Sequence, residues 1–381
     1  MKVDFYRHSL GAADAEGVAR VLDTPFLTSG MVGKAVETQL SAFFEVPHAL
    51  LMNSWTNGAL ATLLALGVGP GDEVIVPAMT FIATANVVEL LGAKPVFIDV
   101  DAATLLITPA AVEMAITPRT KAVIAVHLYG QMCDMRALAD LLADRPEIAL
   151  LEDCAHCFEG RRDDYGPGQY SDAALFSFYA TKNVTCGEGG AFATRRAELY
   201  EAVMRARLHG MSASAVDRYQ TGGYRHWDME VLGVKANLPD LLAVLLPRQI
   251  PTVRDRLSVR SAMAQEYATA LAALNVRMPH TEIGVVHAQH LFPIHVHPRL
   301  RDEVIAGLNQ RGVAVAINYR SVPTLTYYHR KYGYAPADFP VSYEWGEGTV
   351  TLPFFPDLSA EARAYVLASV ADVIAAGATR H

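Results

Sequence analysis

Between Asn57 and Thr194 short β-rich runs alternate with longer helical patterns, and this alternation constrains the fold more than any other feature of the chain. Strand runs are expected at 73–77, 95–100, 122–127, 148–153, 174–179 and 190–194, with helical patterns at 109–116, 134–143 and 197–209. Several of the helical patterns open on a Thr-Pro or Asp start signal. Repetition of this kind predicts βαβ units around a mostly parallel sheet, an α/β large domain. In such sheets ligands gather beyond the carboxyl ends of the strands, so polar residues that follow apolar runs carry functional weight. His127, Asp153 and Lys182 are placed that way.

After an apolar helix expected at 241–246, residues 248–274 read as a long connecting helix. The remaining chain reads as a smaller α+β unit ending in a helix at 360–375. Two domains are therefore expected, 1–250 and 251–381, in keeping with a prior of roughly 150 residues per domain. No apolar run approaches the ~18 residues of a membrane span. The first ten residues mix Lys2, Asp4, Arg7 and His8 with apolar positions, unlike a secretory signal, which points to the cytoplasm.

The net charge of −8 comes with scattered acids and no basic stripe, so nucleic acid is not an expected partner. Cys133, Cys154, Cys157 and Cys186 read as reduced thiols. Cys154 and Cys157 form a CxxC with His156 inside it. A zinc site needs a second ligand pair at suitable spacing, and none is evident, so no metal is expected.

Three stretches carry candidate chemistry. Residues 177–190 (SFYATKNVTCGEGG) run from a strand end into a Gly-rich turn with one lysine, Lys182, at its centre. A lysine whose pKa is lowered by burial or nearby cations can bond an aldehyde cofactor, and Ser177 could take a phosphate. On composition alone such a stretch is more often a solvated loop. Residues 148–156 (IALLEDCAH) deliver Glu152 and Asp153 at the end of an apolar strand, with His156 three residues on. A carboxylate there can pair with a pyridinium nitrogen, or it can be a surface acid. Residues 53–58 (NSWTNG) precede an apolar helix and offer its positive end to an anion, or serve as an ordinary cap.

Together with FLTSG at 26–30, GPGDEV at 69–74, PAMTF at 77–81, VHLYG at 126–130 and LPFFPD at 352–357, these stretches resemble the DegT/DnrJ/EryC1/StrS family of sugar aminotransferases. The resemblance runs in order over nearly the whole chain and implies the pyridoxal 5′-phosphate (PLP) transferase fold type I. It implies Lys182 as the Schiff-base lysine, Asp153 as partner of the pyridine nitrogen, and catalysis by these two. It implies Ser177 and the Trp55–Thr56 turn as phosphate ligands, Phe81 stacked on the cofactor ring and His156 beside it. Asn237, within GVKANLPD at 233–240, matches the asparagine that reaches the cofactor phosphate of a partner subunit, which implies a homodimer with shared active sites. Arg7, Thr28, Tyr319 and Arg320 are the candidate substrate ligands.

Two positions depart from the family pattern: Trp55 stands where a small residue is usual, and His156 where many relatives have glutamine. Lys182 itself disfavours the related dehydratases that carry histidine there. The activity implied is transfer of an amino group from an amino acid, with L-glutamate the expected donor, to a nucleotide-linked keto-sugar.

Amination at C4 is expected from the likeness of 233–238, HAQHLF at 287–292, and Tyr319, Arg320, Tyr327 and Tyr328 to enzymes that make UDP-4-amino-4-deoxy-L-arabinose. Aromatics interleaved with Arg320, Arg330 and Lys331 over 319–334 suit a base and a diphosphate, or else form an amphipathic surface segment. A transaminase without a nucleotide substrate and a non-catalytic PLP- or sugar-binding regulator are the alternatives.

Overall fold

The computed structural model describes residues 1–212, 227–274 and 276–378. Its centre is a seven-stranded sheet of β1 (His48–Met52), β2 (Glu73–Pro77), β3 (Lys94–Ile98), β4 (Thr120–Val126), β5 (Ala149–Asp153), β7 (Ala173–Ser177) and β8 (Gly190–Thr194). The strand order is β1-β8-β7-β5-β4-β2-β3. From β7 to β3 the strands are parallel, while β8 runs antiparallel to both β7 and β1. The expected α/β large domain with a mostly parallel mixed sheet is the fold observed. The two-residue strands β6 (Arg161–Arg162) and β9 (Val285–Val286) pair apart from this sheet.

The strands read as continuous apolar runs because helices cover both faces. Side chains alternate across a strand, so Val74, Val76, Ile124 and Leu151 enter one core. Ile75, Val123, Ala125 and Leu150 enter another. The first core lies under α3 (Trp55–Ala65), α4 (Ala83–Leu90) and α7 (Ala197–Ala206), the second under α5 (Pro109–Ala115) and α6 (Met135–Leu142). A third, beneath α2 (Met31–Phe44), takes Leu51, Phe176 and Ala193. The helix α1 (Ala12–Leu22) precedes it.

The Asp240 carboxylate, distant in sequence, accepts the Gly30, Val32 and Gly33 N–H groups at 3.0 to 3.2 Å and so caps the start of α2. The expected helix at 241–246 is shorter, α8 (Asp240–Ala243). The expected helix at 248–274 starts later, as α9 (Val253–Leu271). Pro251 lacks an N–H and confines residues 250–252 to a single 3₁₀ turn.

Beyond α9 lie β10 (Phe292–His295), α10 (Arg301–Gln310), α11 (Thr326–Tyr332), α12 (Pro340–Gly348), β11 (Thr349–Leu352) and α13 (Ala360–Ala378). β10 and β11 form an antiparallel pair, and their core also takes in Val3 from the start of the chain. Val322, Tyr328 and Phe339 pack instead into the core of the large sheet. No helix among the described residues is long and apolar enough to cross a membrane.

Candidate active site

The carboxyl ends of β7, β5, β4 and β2 open into one cleft of about 520 Å³. It brings together Trp55, Thr56, Phe81, Asp153, His156, Ser177, Lys182 and Tyr319, eight of the residues singled out from sequence. Lys182 lies in the connection from β7 to β8, two strands held in register with Ser177 opposite Gly190. Because the chain must leave the sheet after Ser177 and return at Gly190, the loop between them stands over the sheet edge.

The electrostatics of the cleft follow from burial. Burial holds the Lys182 ammonium down to a pKa of about 8, with the Asp153 carboxylate acting in the opposite direction. Asp153 is buried at the end of β5, and burial raises its pKa. Its oxygens accept the Thr84 hydroxyl at 3.0 Å and the Ala155 N–H at 3.1 Å. Thr84 in turn lies 2.8 Å from the Thr80 hydroxyl, which fixes the carboxylate from the α4 side.

We expect the sign of the Lys182 shift to be measurable. Amine-selective modification of Lys182 in the cofactor-free protein, followed by peptide mapping at stepped pH, should have its midpoint near about 8 and not near 10.5. Asp153→Asn removes the charge that favours the ammonium, so its midpoint should fall lower still. An unshifted lysine midpoint would contradict the electrostatics described here.

On the β8 side, Ser54 caps α3 by accepting the Asn57 N–H at 3.0 Å. The Trp55 and Thr56 N–H groups, in the first turn, have no intrahelical partner. A Cβ at Gly190 would lie 2.7 Å from Ser54 C and 2.8 Å from Trp55 N, so only glycine lets β8 approach this turn so closely. The Trp55 indole is buried, and its Nε1 has no hydrogen-bond partner among the described residues.

On the β4 side, His156 Nδ1 accepts the Tyr129 N–H at 3.1 Å, and its Nε2 lies 3.1 Å from the Tyr319 hydroxyl. His290, also lining the cleft, packs 4.5 Å from the His156 ring. Its Nδ1 lies 3.1 Å from Asn183 Oδ1. The Asn183 amide donates to Glu159 and to the Ala288 carbonyl, so Asn183 Oδ1 is the acceptor and His290 Nδ1 the donor.

Four candidates stand outside the cleft. Arg7 lines a smaller adjoining pocket of about 40 Å³, which shares Lys182 and His290 with it. Thr28 is exposed, and its carbonyl accepts the Asp240 N–H. Arg320 faces Glu347 at 3.5 Å. Asn237 is buried; its Nδ2 donates to Ser29 Oγ at 2.7 Å, while its Oδ1 has no partner among the described residues.

The aromatic and cationic segment 319–334 is largely occupied by packing. Tyr328 donates to Asn86 at 2.8 Å, and Tyr332 and Lys331 both engage Glu89 on α4. In this structure these three side chains make the packing contacts of an amphipathic surface segment.

Thr84, Tyr129 and His290 were not recognisable as site residues from sequence. Thr84 lies inside an apolar helical pattern, and Tyr129 contributes only a backbone N–H. Behind the cleft His127 Nε2 lies 2.8 Å from Glu152, and Glu152 also accepts the Gly168 N–H and the Ser171 hydroxyl. His127 Nδ1 takes the Cys133 N–H. His127, Glu152 and Cys154 present donor atoms within 4.8 Å of one another, but the ring nitrogens and carboxylate of the first two are already engaged.

Residues 8–371 match the DegT/DnrJ/EryC1/StrS aminotransferase family. The chain belongs to that family. Its cofactor is PLP. The spore coat polysaccharide biosynthesis protein SpsC of Bacillus subtilis (strain 168) is 35% identical over 371 residues, 96% of this chain and 95% of SpsC. The putative sugar aminotransferase Spr1654 from Streptococcus pneumoniae, in its PMP form, superposes with a TM-score of 0.92 at 28% identity, covering 98% of this chain and 100% of Spr1654. Its PLP form gives 0.91 at the same identity, covering 99% of each chain. DesV of S. venezuelae, in complex with a ketimine intermediate, gives 0.87 at 31% identity over 94% of each chain.

The described residues fit that cofactor. The cleft offers an amine of lowered pKa, a buried carboxylate across from it and free N–H groups at the start of α3. A backbone approach that tolerates no Cβ at Gly190 completes the cradle.

Proposed function

We propose that this aminotransferase moves nitrogen from an amino acid, L-glutamate, to the C4 ketone of a nucleotide-linked sugar. The observation that carries the reading is the pairing in one cleft of the Lys182 amine, with a pKa of about 8, and the buried Asp153 carboxylate. PLP, when bound, supplies the electron sink for the substrate carbon. In this reading Lys182 bears the cofactor. Its amine, when free, takes a proton at Nζ from the substrate carbon and returns it, the general-base task that a lysine of lowered pKa suits. Asp153 holds the pyridine nitrogen protonated, and Ser177 with the Trp55 and Thr56 N–H groups takes the phosphate. Phe81, exposed at the mouth of the cleft, covers the ring.

A sugar acceptor is supported by the family's relatives, of which Spr1654 is described as a putative sugar aminotransferase and SpsC as a polysaccharide biosynthesis protein. Amination at C4 rests on the motif likeness at 233–238 and 287–292. Arg7, Thr28, Tyr319 and Arg320 remain the proposed substrate ligands, with 1–250 as the cofactor-binding unit and 251–381 as the smaller one. We further propose a cytoplasmic homodimer. Exposed apolar side chains at Phe26, Leu27 and Met31, and at Met229, Val231 and Leu232, support an interface beside Ser29 and Asn237.

Incubation with L-glutamate and matched 3-keto and 4-keto sugar nucleotides, with NMR of the product, tests the acceptor. The expected product carries its amine at C4, and preferential amination at C3 would overturn that assignment. A visible band near about 400 nm that fails to respond to any amino acid would instead favour a regulator.

A further inference from the structure

The segment from Phe5 to Ser9 walls two spaces at once. Phe5 lines the cleft, while Tyr6, Arg7 and Ser9 line the smaller pocket of about 40 Å³ beside it. Both ends of the segment are tied down. The Val3 N–H donates to the Gly312 carbonyl and the Val3 carbonyl accepts from Ala314, while the Ser9 hydroxyl accepts the Arg256 guanidinium of α9.

The pocket has an excess of positive charge. Arg7, Arg256 and Arg260 all line it, and two of them are committed. Arg256 is paired with Asp357 at 3.1 Å, and Arg260 with the buried Glu159. Arg7 has no acidic partner among the described residues, so its charge is left over. In the same pocket the Tyr6 hydroxyl is buried without a hydrogen-bond partner among the described residues. Burial pushes this phenol up to about 12, so it keeps its proton and remains a donor. A buried donor without an acceptor costs free energy, and an anion would satisfy both it and the unanswered guanidinium.

Size narrows the choice of anion. A water takes about 10–15 Å³ of such space, so the pocket has room for a carboxylate but not for a diphosphate with a sugar attached. Position narrows it further. Lys182 and His290 line both spaces and so stand between them. A group on the reacting carbon stays in the cleft with the Lys182 amine, whereas the far end of a side chain can pass into the pocket. An aminotransferase that takes a small amino acid and a large sugar in turn gains from such a pocket, since it grips the small substrate without narrowing the cleft for the large one.

We propose that this pocket is the subsite for the amino donor, in which Arg7 and the Tyr6 hydroxyl hold the distal carboxylate of L-glutamate. Arg7 thereby serves the donor and not the acceptor. The inference rests on the reading that an amino acid supplies the nitrogen at Lys182.

The test compares L-glutamate with L-norvaline, which has a methyl in place of the distal carboxylate. Loss of the visible band on mixing each with the cofactor-loaded protein gives its half-saturating concentration. The wild type should prefer L-glutamate. Arg7→Gln should raise the half-saturating L-glutamate concentration about tenfold or more, with a smaller change in limiting rate, so that the preference over L-norvaline collapses. Tyr6→Phe should act in the same direction by about threefold, and Arg7→Lys, which keeps the charge, should retain part of the preference. Calorimetry supplies a readout free of turnover. Glutarate, with two carboxylates and no amine, should bind the cofactor-loaded protein more tightly than butyrate, and Arg7→Gln should abolish the difference.

A glutamate preference that survives Arg7→Gln would overturn the proposal. Equal losses for L-glutamate and L-norvaline would also overturn it, by placing Arg7 on the carboxylate common to all amino acids. So would a loss confined to the half-saturating concentration of the sugar nucleotide, which would place Arg7 on the acceptor. A wild-type band that no amino acid bleaches would instead refute the amino-donor reading, which separates the two failures.

Discussion

Lys182→Ala should lose the visible band of the cofactor-loaded protein and about 10³-fold or more of its transamination rate, with unchanged circular dichroism. The side chain lies in the loop between β7 and β8 and lines the cleft, so little packing is removed with it. Its effect on stability has a definite sign. The folded pKa of about 8 lies below the ordinary 10.5, so between these values the unfolded chain binds more protons. Stability from this group accordingly rises with pH across that window, and below about pH 8 the burial penalty is present in full. Alanine removes the penalty, so the variant should be as stable as the parent at neutral pH, or more so. Urea titration at about pH 7 and pH 10 reads the difference, which should shrink at the higher pH. A variant that keeps both the band and the rate would remove Lys182 from the chemistry altogether.

The parts legible in the sequence were those where one residue or one short run decides the outcome. β2, β4, β5, β7 and β8 were recognisable because strands covered on both faces are apolar throughout, and turn residues bound them. β1 was not, since it precedes the alternation of 57–194 and is only five residues long, three residues after α2. Asp153 and Lys182 stood out because a charged side chain at the end of an apolar run is conspicuous.

Tertiary partners were invisible. The tie from Asp240 to α2 spans about 210 positions, and the Thr84 to Asp153 bond joins an ordinary-looking helical threonine to its acceptor. In the segment 319–334 the sequence could not separate Tyr319, which lines the cleft, from side chains tied to α4. The segment's tyrosines and cations look like a ligand surface, yet Asn86 and Glu89 on α4 engage Tyr328, Tyr332 and Lys331. The likeness to 4-amino-sugar enzymes therefore stands without the physical support that those three side chains lent it.

Asn237 should complement Lys182 across two subunits. The residue does not line the cleft of its own chain, and its Oδ1 is buried without a partner among the described residues, an arrangement that costs free energy unless something outside the chain satisfies it. Beside it Ser29 is held by Asn237 Nδ2, and Phe26, Leu27 and Met31 expose apolar surface that a second copy would cover. If the asparagine serves the partner's cofactor phosphate, Lys182→Ala and Asn237→Ala homodimers should each be severely impaired. Equal mixing after subunit exchange makes about half of the dimers hybrids, each with one site that has both residues intact and one that lacks both. Activity should return to about a quarter of the wild-type value by that count. An asparagine acting within its own chain gives no recovery, because each site of the hybrid then lacks one residue. Sedimentation of the mixture guards the comparison, and a protein that is monomeric at working concentration would rule out a shared site.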